Sequence, residues 1–168
     1  MLIFAKAECN FMKLKHSPSG QLLEAEISEV ANKDYSAIQK DSGFSFDWEI
    51  EKEYEVYKIY LLSDEHTILG LMSLIDIPEE YRIHLNLLEV SNPHQGKNKI
   101  LDFIAGCLIA FAAEIAIKRG YYGFVSLEPK TLLIDHYQSK YGFRQYGRYL
   151  AIEDSFSQTL INKYLGDD

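Results

Sequence analysis

The chain has 168 residues, 47% of them hydrophobic and 13% aromatic, and its 25 acidic against 17 basic side chains give a formal charge of -8. This composition excludes a disordered polar segment, and it excludes a generic nucleic-acid binder, whose affinity rests on many Lys and Arg contacts to phosphate. The length predicts one domain over residues 1–168, with a core that buries most of its apolar surface.

In chain order, Leu2–Lys15 reads as a strand or a loosely held arm. It lacks the basic start and long apolar run of a secretory leader. Ser17-Pro18-Ser19-Gly20 is a turn signal. Leu22–Val30 alternates in polarity and reads as a half-buried strand. Asn32 is placed to cap a short helix running to about Lys40, which Asp41-Ser42-Gly43 ends. In Phe44–Trp48 the aromatics alternate, as core or as the wall of a pocket.

Tyr54–Leu62, Ile68–Ile77 and Tyr81–Val90 are three strand candidates joined by short turns at Ser63–His66 and Pro78–Glu80. Such spacing predicts an antiparallel meander, with Gly70 a candidate bulge. Asn92–Phe103 is a polar, basic loop. Ile104–Lys118 is a helix apolar nearly all round, so it is expected to be covered on both sides. Its longest apolar run is too short to span a bilayer. Tyr121–Leu127 is a short strand, Lys130–Lys140 a short helix, Arg144–Ile152 a last strand and Ser155–Tyr164 a last helix. A strand, a helix and a second strand predict a parallel pair with a right-handed crossover. Cys9 and Cys107 show no metal-ligand spacing and no disulfide framework, which favours a reducing cytoplasm.

The stretch Arg82–Phe143 carries the chemistry. A strand that feeds a loop into a helix forms an anion cradle, because free backbone N–H groups and the positive end of the helix dipole converge there. Glu89-Val90 ends the strand, Ile104-Ala105-Gly106 opens the helix, Arg119-Gly120 closes it, and His136-Tyr137 precedes Gly142-Phe143. In these residues, and in the one-helix separation of Ala105 from Gly120, the stretch resembles the GNAT family of acyl-CoA-dependent N-acetyltransferases. The resemblance implies an α/β fold: a mixed, largely antiparallel central sheet flanked by helices, with the strand-helix-strand unit as its parallel core. It also implies acetyl-CoA as co-substrate and direct transfer to an amine acceptor, with no metal, no nucleic acid and no membrane partner, and it allows a homodimer through edge strands.

The resemblance distributes roles as follows. Gly96, Lys97 and Lys99 lie beside the phosphates, and Ile104, Ala105, Gly106 and Cys107 supply the turn into the helix. The backbone N–H of Val90 or Ser91 polarises the thioester carbonyl. Glu89 is the base, its pKa raised by partial burial. Tyr137 is the acid that protonates the leaving thiolate. His84 and His94 are weaker base candidates; His136 and Tyr141 stand behind Tyr137.

Two departures accompany these roles. The family pattern is Arg or Gln, two residues, Gly, one residue, then Gly or Ala. Phe103 stands where Gly is expected and Ile100 where Arg or Gln is expected. Tyr137 lies one residue further from Gly142 than usual. An alternative reading is therefore a catalytically inactive GNAT-like CoA-binding or scaffold protein. A mononucleotide binder is a third, without a Gly-rich fingerprint to support it.

Overall fold

A computed structural model describes residues 12–129 and 133–166. Among the described residues nine strands form one sheet. They are β1 (Met12–His16), β2 (Leu22–Glu29), β3 (Glu55–Leu61), β4 (Gly70–Ile77), β5 (Arg82–Val90), β6 (Leu101–Asp102), β7 (Val125–Leu127), β8 (Arg144–Tyr146) and β9 (Tyr149–Ile152), in spatial order β6-β1-β2-β3-β4-β5-β7-β9-β8. All neighbours run antiparallel except β5 and β7. The helices are α1 (Asp34–Lys40), α2 (Ile104–Lys118), α3 (Ile134–Tyr141) and α4 (Asp154–Leu165). The mixed α/β class, the meander and the parallel crossover agree with the sequence reading. The part of the N-terminal candidate before Met12 lies outside the described residues, as do the first residues of the Lys130–Lys140 helix.

Helix α2 occupies the span its apolar pattern defines. One side meets β4 and β5 and another meets α4, so nine of its residues are buried. Ile104, Cys107, Leu108, Ile109 and Ala112 join Leu14, Ile59, Leu74, Ile83 and Val125 in the main core. The opposite face of the sheet carries a smaller cluster of Ile38, Phe44, Trp48, Val56 and Leu71, covered by α1 and a 3-10 turn over Trp48–Glu53.

Several elements differ from the sequence reading. Helix α1 starts at Asp34, with its first N–H groups uncapped by Asn32; the Asp34 carboxylate instead accepts from the Ala31 N–H at 2.8 Å. Arg144–Ile152 is not one strand but the hairpin β8–β9, which turns through Gly147. The bulge is not at Gly70. A Cβ there would stand 2.8 Å from Ile104 Cγ2, so glycine at that site admits α2 close to the sheet. The register slips further on: Ser73 faces Leu87 and Leu74 faces Leu85, leaving Asn86 as the extra residue on β5.

That bulge reverses which side chains face which layer. Before it, Ile83 and Leu85 point into the main core; after it, Leu88 and Val90 do, while Leu87 turns to the smaller cluster. Glu89 thereby lands on the face covered by residues 41–53. Among the described residues no helix is long and apolar enough to cross a membrane.

Candidate active site

Strand β5 pairs with β4 from Arg82 to Val90 but with β7 only at Ile83, His84 and Leu85. Strand β7 ends at Leu127, opposite Leu85, so past Leu85 strand β5 has no partner on that side among the described residues. Beside the end of β5 lies a cavity of about 650 Å³, within the size range of small-molecule and cofactor sites. Its walls come from Leu88–Val90 of β5, the loop around His94–Lys99, the entry to α2 and the side chains of α3.

The α2 entry offers free donors. The first intrahelical bond is Cys107 N–H to Phe103 C=O at 2.9 Å. The N–H groups of Ile104, Ala105 and Gly106 find no acceptor among the described residues, and all three residues line the cavity. Phe103 takes a left-handed conformation, φ +79°. Glycine takes that conformation freely, whereas a side chain at positive φ costs about 1 kcal/mol or more. The Phe103 ring rests edge-on against Tyr164, centroids 6.0 Å apart.

Charge gathers at the same end. Lys99 and Lys140 line the cavity with His136. Burial, then the ammonium groups of Lys140 and Lys99, holds the His136 pKa below the ordinary histidine value. Of the two acids on the lining, Glu89 and Asp102, the one beside these cations is Asp102. Asp102 Oδ1 accepts from the Phe103 N–H at 2.8 Å and from Lys99 Nζ at 3.3 Å. Burial alone would raise its pKa, but those bonds outweigh burial and keep it ionised. Three free amides, Lys99, Lys140 and a neutral imidazole facing one Asp suit a diphosphate.

Of the residues singled out from sequence, Val90, Gly96, Lys99, Ile104, Ala105, Gly106, Glu89 and Tyr137 line the cavity. Ser91, Lys97 and Cys107 lie outside its lining. The Ser91 N–H is spent on Leu69 C=O at 2.9 Å. Lys97 is exposed on the loop. The Cys107 thiol is fully buried 3.8 Å from Tyr164 C=O, and burial pushes its pKa up to about 12. Gly106 has a packing reason for its identity, since a Cβ there would stand 2.3 Å from Tyr164 Cε1. Phe46 adds to the cavity wall while Phe44 and Trp48 are core. Sequence reasoning missed Lys140 and Tyr164; the only signal was Lys140 standing one turn after His136 on α3.

Glu89 departs from expectation. It is 4% exposed, and its two oxygens take four donors: Ser45 N–H (2.7 Å), Ser45 hydroxyl (2.8 Å), Phe46 N–H (3.2 Å) and Trp48 indole N–H (2.9 Å). Burial favours the neutral acid, but these bonds favour the carboxylate more, so its pKa is lowered, not raised. The burial argument missed the donors because they come from a segment more than forty residues away.

Tyr137 is half-buried on the cavity wall, edge-on to Phe143 with centroids 5.6 Å apart. Burial raises its pKa, and no described residue hydrogen-bonds its hydroxyl. Helix α3 runs to Tyr141 and closes through Gly142 at φ +78°, with the Phe143 N–H reaching Tyr137 C=O at 3.3 Å. His94 Nδ1 accepts from the Leu101 N–H at 3.1 Å and so organises the loop. His84 is half-buried, with its Nδ1 2.9 Å from the Ser126 hydroxyl.

No protein-family model matches the sequence, and no curated protein matches it significantly. Solved structures do. The chain is similar to the spermidine N-acetyltransferase SpeG of Vibrio cholerae in complex with CoA and spermine (14% identity, TM-score 0.58, 80% of this chain and 98% of that one). It is similar to the PaiA N-acetyltransferase of Thermoplasma acidophilum in complex with coenzyme A (14% identity, TM-score 0.53, 77% and 98%). It is also similar to AtaTR bound with AcCoA (14% identity, TM-score 0.57, 82% and 98%). The fold is the GNAT acetyltransferase fold.

Proposed function

We propose that this chain is an N-acetyltransferase that moves an acetyl group from acetyl-CoA to an amine. The observation that carries the reading is the trio of unbonded amides at Ile104–Gly106, which opens onto a cavity beside the unpaired end of β5. The likeness to structures holding CoA or AcCoA supports it. The diphosphate rests on those amides, with Lys99 and Lys140 as point charges. The pantetheine arm runs along the unpaired edge of β5 past Leu85, and the thioester lies near the bulge at Asn86.

A neutral amine attacks the thioester carbonyl; the C–N bond forms and the C–S bond breaks. Tyr137 keeps its proton at all working pH values, because burial holds its pKa above the ordinary phenol value. It gives that proton to the leaving thiolate and recovers one from the acetylated nitrogen. Counted from the neutral amine, the products are the N-acetylated amine and the thiol with no proton left over; the one proton lost by the ammonium form on becoming neutral goes to solvent. Glu89 has no acceptor capacity left for a proton from the amine. Its part is positioning: it fixes Ser45, Phe46 and Trp48, and Ser45 and Phe46 form part of the cavity wall.

The Asp102 carboxylate on the Phe103 amide favours a second reading, a CoA-binding protein without turnover. Acetyl-CoA incubated with a panel of primary amines, followed by thiol release, separates the two. Amine-dependent thiol release supports the transferase; acetyl-CoA binding with none from any amine supports the second reading.

A further inference from the structure

Two acidic side chains, Glu89 and Glu51, are buried on the face of the sheet away from α2. The protein treats them differently. Glu89 is saturated by four donors. Glu51, in the 3-10 turn over Trp48–Glu53, is 5% exposed. Its Oε1 accepts from the Ser73 hydroxyl at 2.8 Å and from the Asn86 side-chain amide at 2.6 Å. No described residue donates to its Oε2.

Nor does a cation offset it. Asp34 has Lys58, Glu55 has Arg119 and Asp102 has Lys99, whereas no described Lys or Arg forms an ion pair with Glu51. A carboxylate withdrawn from water without a counter-charge is costly. Among the described residues no sealed side-chain oxygen lacks a partner, so Oε2 opens outward. Asn86, whose side-chain amide reaches the same carboxylate, is exposed although β5 runs through the middle of the sheet. Asn86 is also the first residue of β5 past its last partner on β7.

The geometry points to Glu51 as the residue that receives the acceptor's ammonium group, with Ser73 and Asn86 aiming its free oxygen at the bulge where the thioester lies. The acceptor is therefore an alkylamine that arrives as its ammonium form and loses one proton to solvent before it attacks, not an alcohol or an anionic nucleophile. This inference rests on the acetyltransferase reading for the placement of the thioester. The carboxylate site itself does not depend on that reading. The chain's charge of -8 draws such a cation toward it.

The test titrates n-butylammonium and, separately, butanol of the same shape into the full chain saturated with CoA. The readout is the side-chain amide signal of Asn86 in NMR spectra. Butylammonium shifts that signal saturably and butanol does not. In Glu51→Gln the butylammonium affinity falls about tenfold or more, the loss of one charge-assisted bond, while acetyl-CoA affinity is unchanged. An equal response to amine and alcohol in the unmutated chain overturns the inference without reference to any variant, and so does unchanged amine affinity in a folded Glu51→Gln. Failure of the unmutated chain to bind acetyl-CoA strikes the acetyltransferase reading instead. A butylammonium response that persists in that case leaves the Glu51 cation site standing.

Discussion

The indole N–H of Trp48 donates to Glu89 Oε1 at 2.9 Å, tying the only tryptophan of the chain to the last turnward residues of β5. With Ser45 and Phe46 it makes the carboxylate a peg around which residues 44–48 fold. Glu89→Gln turns two of those donors against a side-chain NH2 group. The expected cost is about 2–4 kcal/mol of folding free energy, read by urea unfolding with Trp48 fluorescence as the reporter. A loss below about 0.5 kcal/mol would contradict the peg.

The same carboxylate gives a pH signature. Its folded pKa lies below the unfolded value, so its stabilisation is fully present above the unfolded pKa of about 4.3 and is lost as pH falls through the lower folded value. Acidification from about pH 5 to pH 3 therefore costs the natural chain more stability than it costs Glu89→Gln. Parallel pH profiles of the two would remove this assignment.

Gly106→Ala places a methyl group against the Tyr164 ring. It should destabilise the protein by about 1–3 kcal/mol through overpacking of α2 on α4. Tyr164→Ala alone leaves a cavity, but the two changes together should cost less than their sum, and a double-mutant cycle measures that coupling. Strict additivity would show that the glycine serves something other than helix packing.

The cations near the α2 entry are not equivalent. Among the described residues Lys140 lines the cavity with no carboxylate bonded to it, Lys99 is shared with Asp102, and Lys97 lies outside the lining. Lys140→Met should weaken acetyl-CoA binding about threefold to tenfold, more at low salt than at high. Lys99→Met should do less, and Lys97→Met should do nothing measurable. Equal effects at all three positions would mean diffuse attraction and no built site.

Much of this architecture was legible. The run from Ile104 to Lys118 declared α2 to the residue, because Ile104, Leu108, Phe111 and Ile115 recur at helical spacing over a length too great for a buried strand. The meander was visible in strand-length β-formers separated by turn residues. What the sequence hid was long-range. The bulge at Asn86 has no local marker, and Gly70 misled because small size there serves packing against Ile104. Burial of Glu89 was anticipated, but its donors were not, and they invert the sign of its pKa shift. Phe103 was visible as a departure from Gly; only the backbone shows that it still adopts the conformation Gly would take.

The central claim is that the amides of Ile104, Ala105 and Gly106 grip the diphosphate of acetyl-CoA. The direct measurement is calorimetry of acetyl-CoA binding, with backbone amide NMR followed through the same titration. The account predicts saturable heat and large shifts of those three amides, with Cys107 moving least because its N–H is already bonded to Phe103. Absence of heat, or saturable binding that leaves the three amides unmoved, would contradict it.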